Sequence, residues 1–353
     1  NNGEGANSPQ QIWLAVQSQS REIAHMNEKT RAIVVSQFGG PEVLEWQESE
    51  LPSLGPTDVL VRHTAVGLNF IDVYHRTGLY PLELPFTPGT EAAGIIEAVG
   101  SNVDDLGPGE RVAYTGNGPP GSYSEKRILP RTRLARLPDA IDDHTAAAIM
   151  LKGCTVEYLV TRTFPISARD VVLLHAAAGG VGLIASQWLS ALGARVIGTV
   201  GSEEKGELAR ARGCDEVILY RVEDVAARVR EMTDGRGVDV VYDSVGAATF
   251  EASIKSLRPR GMMVTFGNAS GPVPPVSPLL LSQNGSLFLT RPGLAHYYND
   301  PAEAAEGIAK LFDMVLSGKV TPHIGQKYPL SDVPEAHRDL ENRQTVGSTV
   351  LAT

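Results

Sequence analysis

Cysteine is nearly missing from this chain, with Cys154 and Cys214 the only two among 353 residues. They lack CxxC spacing and are too few for a disulfide scaffold, which fits a reducing, cytoplasmic setting and small, buried, apolar roles for both. No uninterrupted apolar run is long enough to cross a bilayer, so a membrane span is not expected. Positive charge is also short: 31 Lys and Arg face 41 Asp and Glu, for a formal net charge of −10. Nucleic-acid and anionic-lipid surfaces need clustered Lys and Arg, so this balance disfavours both as the main partner while leaving room for a local basic pocket.

What remains is the composition of an ordinary globular protein, 42% hydrophobic and 20% charged, long enough for two domains. Asn1 to His25 is rich in Asn, Gln and Ser and begins without Met. It has no positive cluster before an apolar core, and it carries Glu4 and Glu22, which a transit peptide would avoid. Residues 1–29 therefore read as a leader, with Met26 a candidate start. From about residue 30 to 153, short apolar stretches such as Ala32 to Val35, Val59 to Arg62 and Gly94 to Val99 are broken by Gly and Pro, the texture of a β-rich domain. A helical stretch begins near Ala146, after which strands alternate with helices, the βαβ pattern of a parallel sheet. Val171–His175, Arg195–Val200, Glu216–Leu219, Val238–Tyr242, Met262–Phe266 and Leu287–Leu289 make six strands, the count of a doubly wound dinucleotide fold over residues 154–292. A last helix, Pro301 to Ser317, and a strand-like tail, Gly347 to Ala352, predict that residues 293–353 return to the first domain.

The stretch His175-Ala176-Ala177-Ala178-Gly179-Gly180-Val181-Gly182 follows a hydrophobic strand and opens a helix. Gly179 lets the backbone approach a pyrophosphate, Gly182 allows close packing of helix on strand, and the helix N-terminus offers N–H groups to the anion. Ala177 stands where the first glycine of GxGxxG would be, and a glycine-rich packing turn is the plainer alternative. The next strand ends Gly198-Thr199-Val200-Gly201-Ser202 without the carboxylate that NAD enzymes use on the ribose. Lys205 is in reach of a 2′-phosphate, although it also reads as a solvated helix residue. The pattern favours NADP.

These motifs, together with Tyr242-Asp243-Ser244-Val245-Gly246, Phe266-Gly267-Asn268, Leu289-Thr290-Arg291-Pro292, Gly67 to Tyr74 and Pro88 to Gly94, resemble the NADPH:quinone oxidoreductases and zeta-crystallin, zinc-free medium-chain dehydrogenases/reductases. The resemblance runs from about Thr30 to Thr353. It implies an α/β protein with a GroES-like catalytic domain and a Rossmann domain, joined at a cofactor cleft. It further implies NADPH contacts at Thr155, Gly179, Gly180, Val181 and Gly182, at Gly201, Ser202 and Ser244, and at Phe266 and Asn268. Lys205, Tyr220 and Arg343 would enclose the 2′-phosphate, for which an Arg fork is geometrically suited.

Zinc-dependent relatives place Cys in GxCxxD and His in GHE; here those positions hold Asn69 and Thr90, and the eight histidines are scattered without ligand spacing. No metal is expected. Hydride delivery then needs hydrogen bonds to the acceptor oxygen. Asn69, Tyr74 and Tyr80 resemble the family's quinone-pocket residues, with Arg291 approaching from the interdomain strand; each tyrosine also reads as half-buried core. The implied activity is NADPH-dependent quinone reduction. An alkenal, enone or enoyl-thioester reductase uses the same fold, and a non-catalytic crystallin-like or RNA-binding role is the alternative of another class. The small-molecule acceptor would be the main partner, with a homodimer joined around Leu287 to Leu289.

Overall fold

The computed structural model describes residues 29–116 and 118–353. The expected leader lies outside them except for its last residue, Lys29, which already opens the first strand. The N-terminal β-rich region contributes β1 (Lys29–Val34), β2 (Glu45–Glu50), β3 (Asp58–Leu68), β4 (Glu91–Val99), β5 (Arg111–Tyr114), β6 (Lys126–Pro130) and β7 (Ala135–Arg136). Antiparallel β1 and β2 form a two-stranded ribbon. In β3, Val59 and Val61 are wholly buried while Arg62 is exposed, and this long strand pairs with both β4 and β6. Helix α1 (Phe70–Arg76) follows β3 at once, with Asn69 extended at its N-cap (φ −140°, ψ 156°).

Helix α2 (Asp143–Tyr158) is capped by Asp142, whose Oδ1 accepts from the Thr145 backbone N–H at 2.9 Å. Ala146 through Met150 are all fully buried, so the helix is apolar around much of its girth. That is the mark of a helix packed on more than one side. It lies against β3 and β4 and also against α3 (Gly180–Ala191), linking the two sheets.

The second sheet comprises β8 (Val171–Leu174), β9 (Arg195–Val200), β10 (Glu216–Leu219), β11 (Val238–Asp243), β12 (Leu257–Thr265) and β13 (Phe288–Thr290). All pairs are parallel, and the spatial order is β10-β9-β8-β11-β12-β13. The six strands expected from the sequence are thus present in doubly wound order. The chain winds outward from β8 to β10, then crosses back to β11, leaving a crevice at the carboxyl ends of β8 and β11 where such folds bind ligands. After β13 the chain passes through the helix Pro301–Leu316, which packs on α2, and adds β14 (Ile324–Pro329) and β15 (Ser348–Ala352) to the first sheet. There Leu351 of β15 stands opposite Val66 of β3 in antiparallel register.

The glycine turn differs from the sequence reading in one respect. The left-handed residue is Ala176 (φ 53°), one position before the alanine that replaces the first glycine of the motif; Ala177 is wholly buried. Gly182 is constrained by space: a Cβ there would lie 2.3 Å from the Ala176 carbonyl oxygen, which is backbone and cannot swing aside. Gly182→Ala should therefore destabilise the fold by about 1–3 kcal/mol through overpacking. Urea titration should show a lower midpoint at unchanged slope; an unaltered midpoint would mean that α3 moves off β8 without cost.

Candidate active site

A cavity of about 750 Å³ occupies the crevice at the carboxyl ends of β8 and β11, with walls from both sheets. One end is built by the glycine turn. Gly179 caps α3, and Gly180, Val181 and Gly182 form its first turn, where backbone N–H groups have no intrahelical acceptor. All four line the cavity, as do Thr155 on α2, Ser244 after β11 and Phe266 after β12.

Beyond the tip of β9, Gly201 leaves room for Tyr220: a Cβ at Gly201 would be 2.8 Å from the Tyr220 hydroxyl. Lys205, on helix α4 (Glu203–Ala211), donates from Nζ to the carbonyls of Arg343 at 3.0 Å and Thr345 at 3.2 Å. Arg343 itself is left-handed (φ 60°), and Gly201, Lys205, Tyr220 and Arg343 all belong to the cavity wall. Ser202 lies off that wall; its hydroxyl accepts from the Lys205 backbone N–H at 3.4 Å as the cap of α4. The acids in the wall near this end are all engaged: Asp224 accepts from the Ala227 N–H at 2.9 Å as a helix cap, and Glu341 pairs with Arg76 at 2.8 Å. Glu223 accepts from the Leu219 N–H at 2.7 Å and pairs with Arg228 at 2.8 Å.

At the opposite end Asn69, Tyr74, Tyr80 and Arg291 line the cavity together. Tyr74 is 7% exposed, and its hydroxyl oxygen accepts from the Asn268 backbone N–H at 2.7 Å, leaving its own proton free to donate. Burial pushes its pKa up to about 12, so the group stays a neutral donor throughout the neutral range. Tyr80 packs edge-on against Tyr74, with ring centroids 5.2 Å apart. With the Asn268 amide turned to satisfy both its ends, its Oδ1 accepts from Tyr80 at 2.9 Å and from Arg291 at 3.1 Å. Arg291 also donates to the Tyr80 hydroxyl at 2.9 Å and to the Gly267 carbonyl at 2.9 Å. Asn268 therefore stands behind the cavity wall, latching the two tyrosines of the first domain to the loop after β12.

Beneath Asn69 lies a buried polar cluster that sequence reasoning missed. Glu91, 0% exposed, accepts on Oε1 from Asn69 Nδ2 and from Lys152 Nζ, both at 2.7 Å, and on Oε2 from the Leu151 N–H at 2.5 Å. Asp72 accepts on Oδ2 from the Asn69 N–H and the Tyr123 hydroxyl, each at 2.9 Å. Burial raises its pKa to about 7, opposed by those two hydrogen bonds. The available signals were a lone carboxylate at the head of an apolar strand and a lone lysine in the apolar run from Ala146 to Cys154. These groups do not fit a catalytic zinc. At the positions of interest the amide of Asn69, the hydroxyl of Thr90 and the ammonium of Lys152 all act as donors to carboxylates, and Cys154 is a buried thiol with its pKa pushed up to about 12. Among the described residues no group of three or more His, Cys, Asp and Glu could hold a metal ion.

Residues 55–139 match the alcohol dehydrogenase GroES-like domain, and residues 180–311 match the zinc-binding dehydrogenase domain. The chain is 49% identical over 322 residues to a quinone oxidoreductase of Pseudomonas aeruginosa, covering 91% of this chain and 99% of that one. It is 45% identical over 327 residues to a 2-haloacrylate reductase of a Burkholderia species, covering 91% and 98%. Its fold superposes on the Escherichia coli quinone oxidoreductase complexed with NADPH at a TM-score of 0.89 and 46% identity, over 92% of this chain and all of that one. Two domain matches, near-complete coverage and identity approaching half establish that this chain is an enzyme of the quinone oxidoreductase family of medium-chain dehydrogenases/reductases.

Proposed function

We propose that the cleft binds NADPH and that the chain reduces quinones, or closely related conjugated acceptors, by hydride transfer without a metal. One observation carries the cofactor choice: the β9 end of the cavity gathers Lys205, Tyr220 and Arg343, while the carboxylates in its wall, Glu223, Asp224 and Glu341, are engaged by other protein groups. The solved E. coli and mycobacterial relatives complexed with NADPH support the same reading. The glycine turn would take the pyrophosphate, and Thr155, Ser244 and Phe266 would flank the middle of the dinucleotide. The cofactor supplies the hydride and both electrons.

The chain's own part is binding and polarisation. Tyr74 offers a neutral hydroxyl proton to the acceptor oxygen, preset by the Asn268 N–H behind it. Asn69 keeps one amide N–H on Glu91 and has the second for the acceptor. Tyr80 and Arg291 hold the latch, and the net negative chain charge disfavours an RNA-binding role. The named 2-haloacrylate reductase relative favours, as a second reading, acceptors in which an activated double bond rather than a quinone ring is reduced. The same reading includes a cytoplasmic homodimer joined edge to edge through β13, where Phe288 is 58% exposed; a monomeric sedimentation coefficient would refute that pairing.

Steady-state turnover with NADPH against 1,4-benzoquinone, a 2-enal and 2-chloroacrylate is the deciding experiment. Benzoquinone should be the best of the three; preference for 2-chloroacrylate would transfer the chain to the second reading. In the same panel Tyr74→Phe should lower turnover without altering NADPH affinity, and unchanged turnover would leave Tyr74 as a packing residue. Lys205→Ala and Arg343→Ala should each weaken NADPH by about tenfold or more while sparing NADH, the loss expected for one charged hydrogen bond. Equal affinity of the wild type for both nucleotides would refute the phosphate pocket.

A further inference from the structure

Lys152 is a buried cation with no part in the function proposed above. Its side chain is only 6% exposed, a costly position for an ammonium unless a countercharge is at hand. Glu91 provides that countercharge at 2.7 Å, and Glu91 is held in turn by Asn69 and by the Leu151 N–H. An ammonium has three donors. Among the described residues its hydrogen bond to Glu91 uses one. The aliphatic stem lies against the glycine turn, since a Cβ on Gly180 would meet Lys152 Cδ and Cε at 2.9 Å. Lys152 thus forms cavity wall between Gly179 and Asn69, its position fixed at both ends of the side chain.

A lysine serving only to neutralise Glu91 would not need to line the cavity. We propose, on the basis of the hydride-transfer reading, that Lys152 is the electrophilic group of the acceptor site: its ammonium hydrogen-bonds the acceptor's carbonyl oxygen as negative charge develops there. The acceptor gains a hydride at its conjugated carbon, with both electrons of the cofactor's C–H bond. Its π electrons move to the carbonyl oxygen, which then takes a proton from water. Tyr74 contributes a dipole to that oxygen, whereas Lys152 contributes a full charge in a water-poor cleft, where charge acts most strongly. The acceptor class that gains most is the one that concentrates charge on a single oxygen, an enal or enone, because a quinone spreads it through its ring.

The test compares the wild-type chain with Lys152→Met, of similar length without charge, and Lys152→Arg, which keeps the charge. NADPH affinity is read by fluorescence titration, turnover with 1,4-benzoquinone and a 2-enal, and the ionisation of bound 4-nitrophenol by its phenolate absorption in the presence of NADP⁺. Lys152→Met should bind NADPH as the wild type does and lose on the order of tenfold to hundredfold in turnover with the 2-enal, with a smaller loss on benzoquinone. Wild type and Lys152→Arg should bind 4-nitrophenol as phenolate, and Lys152→Met should not. A loss that is equal for both acceptors, or absent, overturns the proposal. So does a wild type that shows no preference for the phenolate, a measurement that stands even if the variants do not fold. A wild type that neither binds NADPH nor turns over any acceptor refutes the hydride-transfer reading itself, whereas normal wild-type activity with an unaffected Lys152→Met refutes only the role of Lys152.

Discussion

A carboxylate sealed from solvent must have both oxygens satisfied, and Glu91 meets that condition by drawing on three donors from two separate parts of the chain. It heads β4, opposite Gly67 of β3, and Gly67 is glycine for that reason: a Cβ there would lie 2.1 Å from Glu91 Oε1 and 2.2 Å from the Ala147 carbonyl. Asn69, just beyond β3, and Leu151 and Lys152, within α2, complete its partners. One ionised group thereby fixes the distance between the first sheet and the helix that carries the second. The wall of the cleft inherits its position from that constraint. Removing either charge alone would strand the other in a dry site, which is costlier than replacing both.

Around this anchor the two halves meet through hydrogen bonds at the rim as well as through apolar packing. Tyr74 and Tyr80 engage Asn268 and Arg291 at one end. Lys205 engages the carbonyls of Arg343 and Thr345 at the other. Between them, a bridge joins Gly179 to Gly347, with the Gly347 N–H on the Ala178 carbonyl at 2.9 Å. Rim hydrogen bonds can be exchanged for water at small net cost, whereas the core around α2 cannot be opened cheaply. The cleft therefore combines an apolar floor with a hydrogen-bonded rim.

The doubly wound half was legible in the sequence because buried parallel strands read as apolar runs and the glycine turn is local in the chain. The β9 tip without an acid was legible for the same reason. The Glu91–Lys152 pair was not, because its members are 61 residues apart and the motif that contains Glu91 gives no sign of Lys152. Asn268 was read as a cofactor contact from a Phe-Gly-Asn motif, but the motif could not tell on which side of the wall the side chain would lie; it lies with the tyrosines. Ser202 was likewise assigned from its neighbours, although a serine just before a helix is most readily a cap. Motifs local in the chain can be read from the sequence, whereas the long-range pairing of side chains cannot.

The bridge between Gly179 and Gly347 has a consequence for the order in which the molecule can become competent. The glycine turn is synthesised well before Arg343 and the backbone that Lys205 holds, which lie on the segment leading into β15. β15 docks between β14 and β3, and β3 precedes it by most of the described chain. A nascent chain thus emerges with half of a nucleotide site that nothing closes. The site becomes whole only when the segment leading into β15 has docked beside the glycine turn.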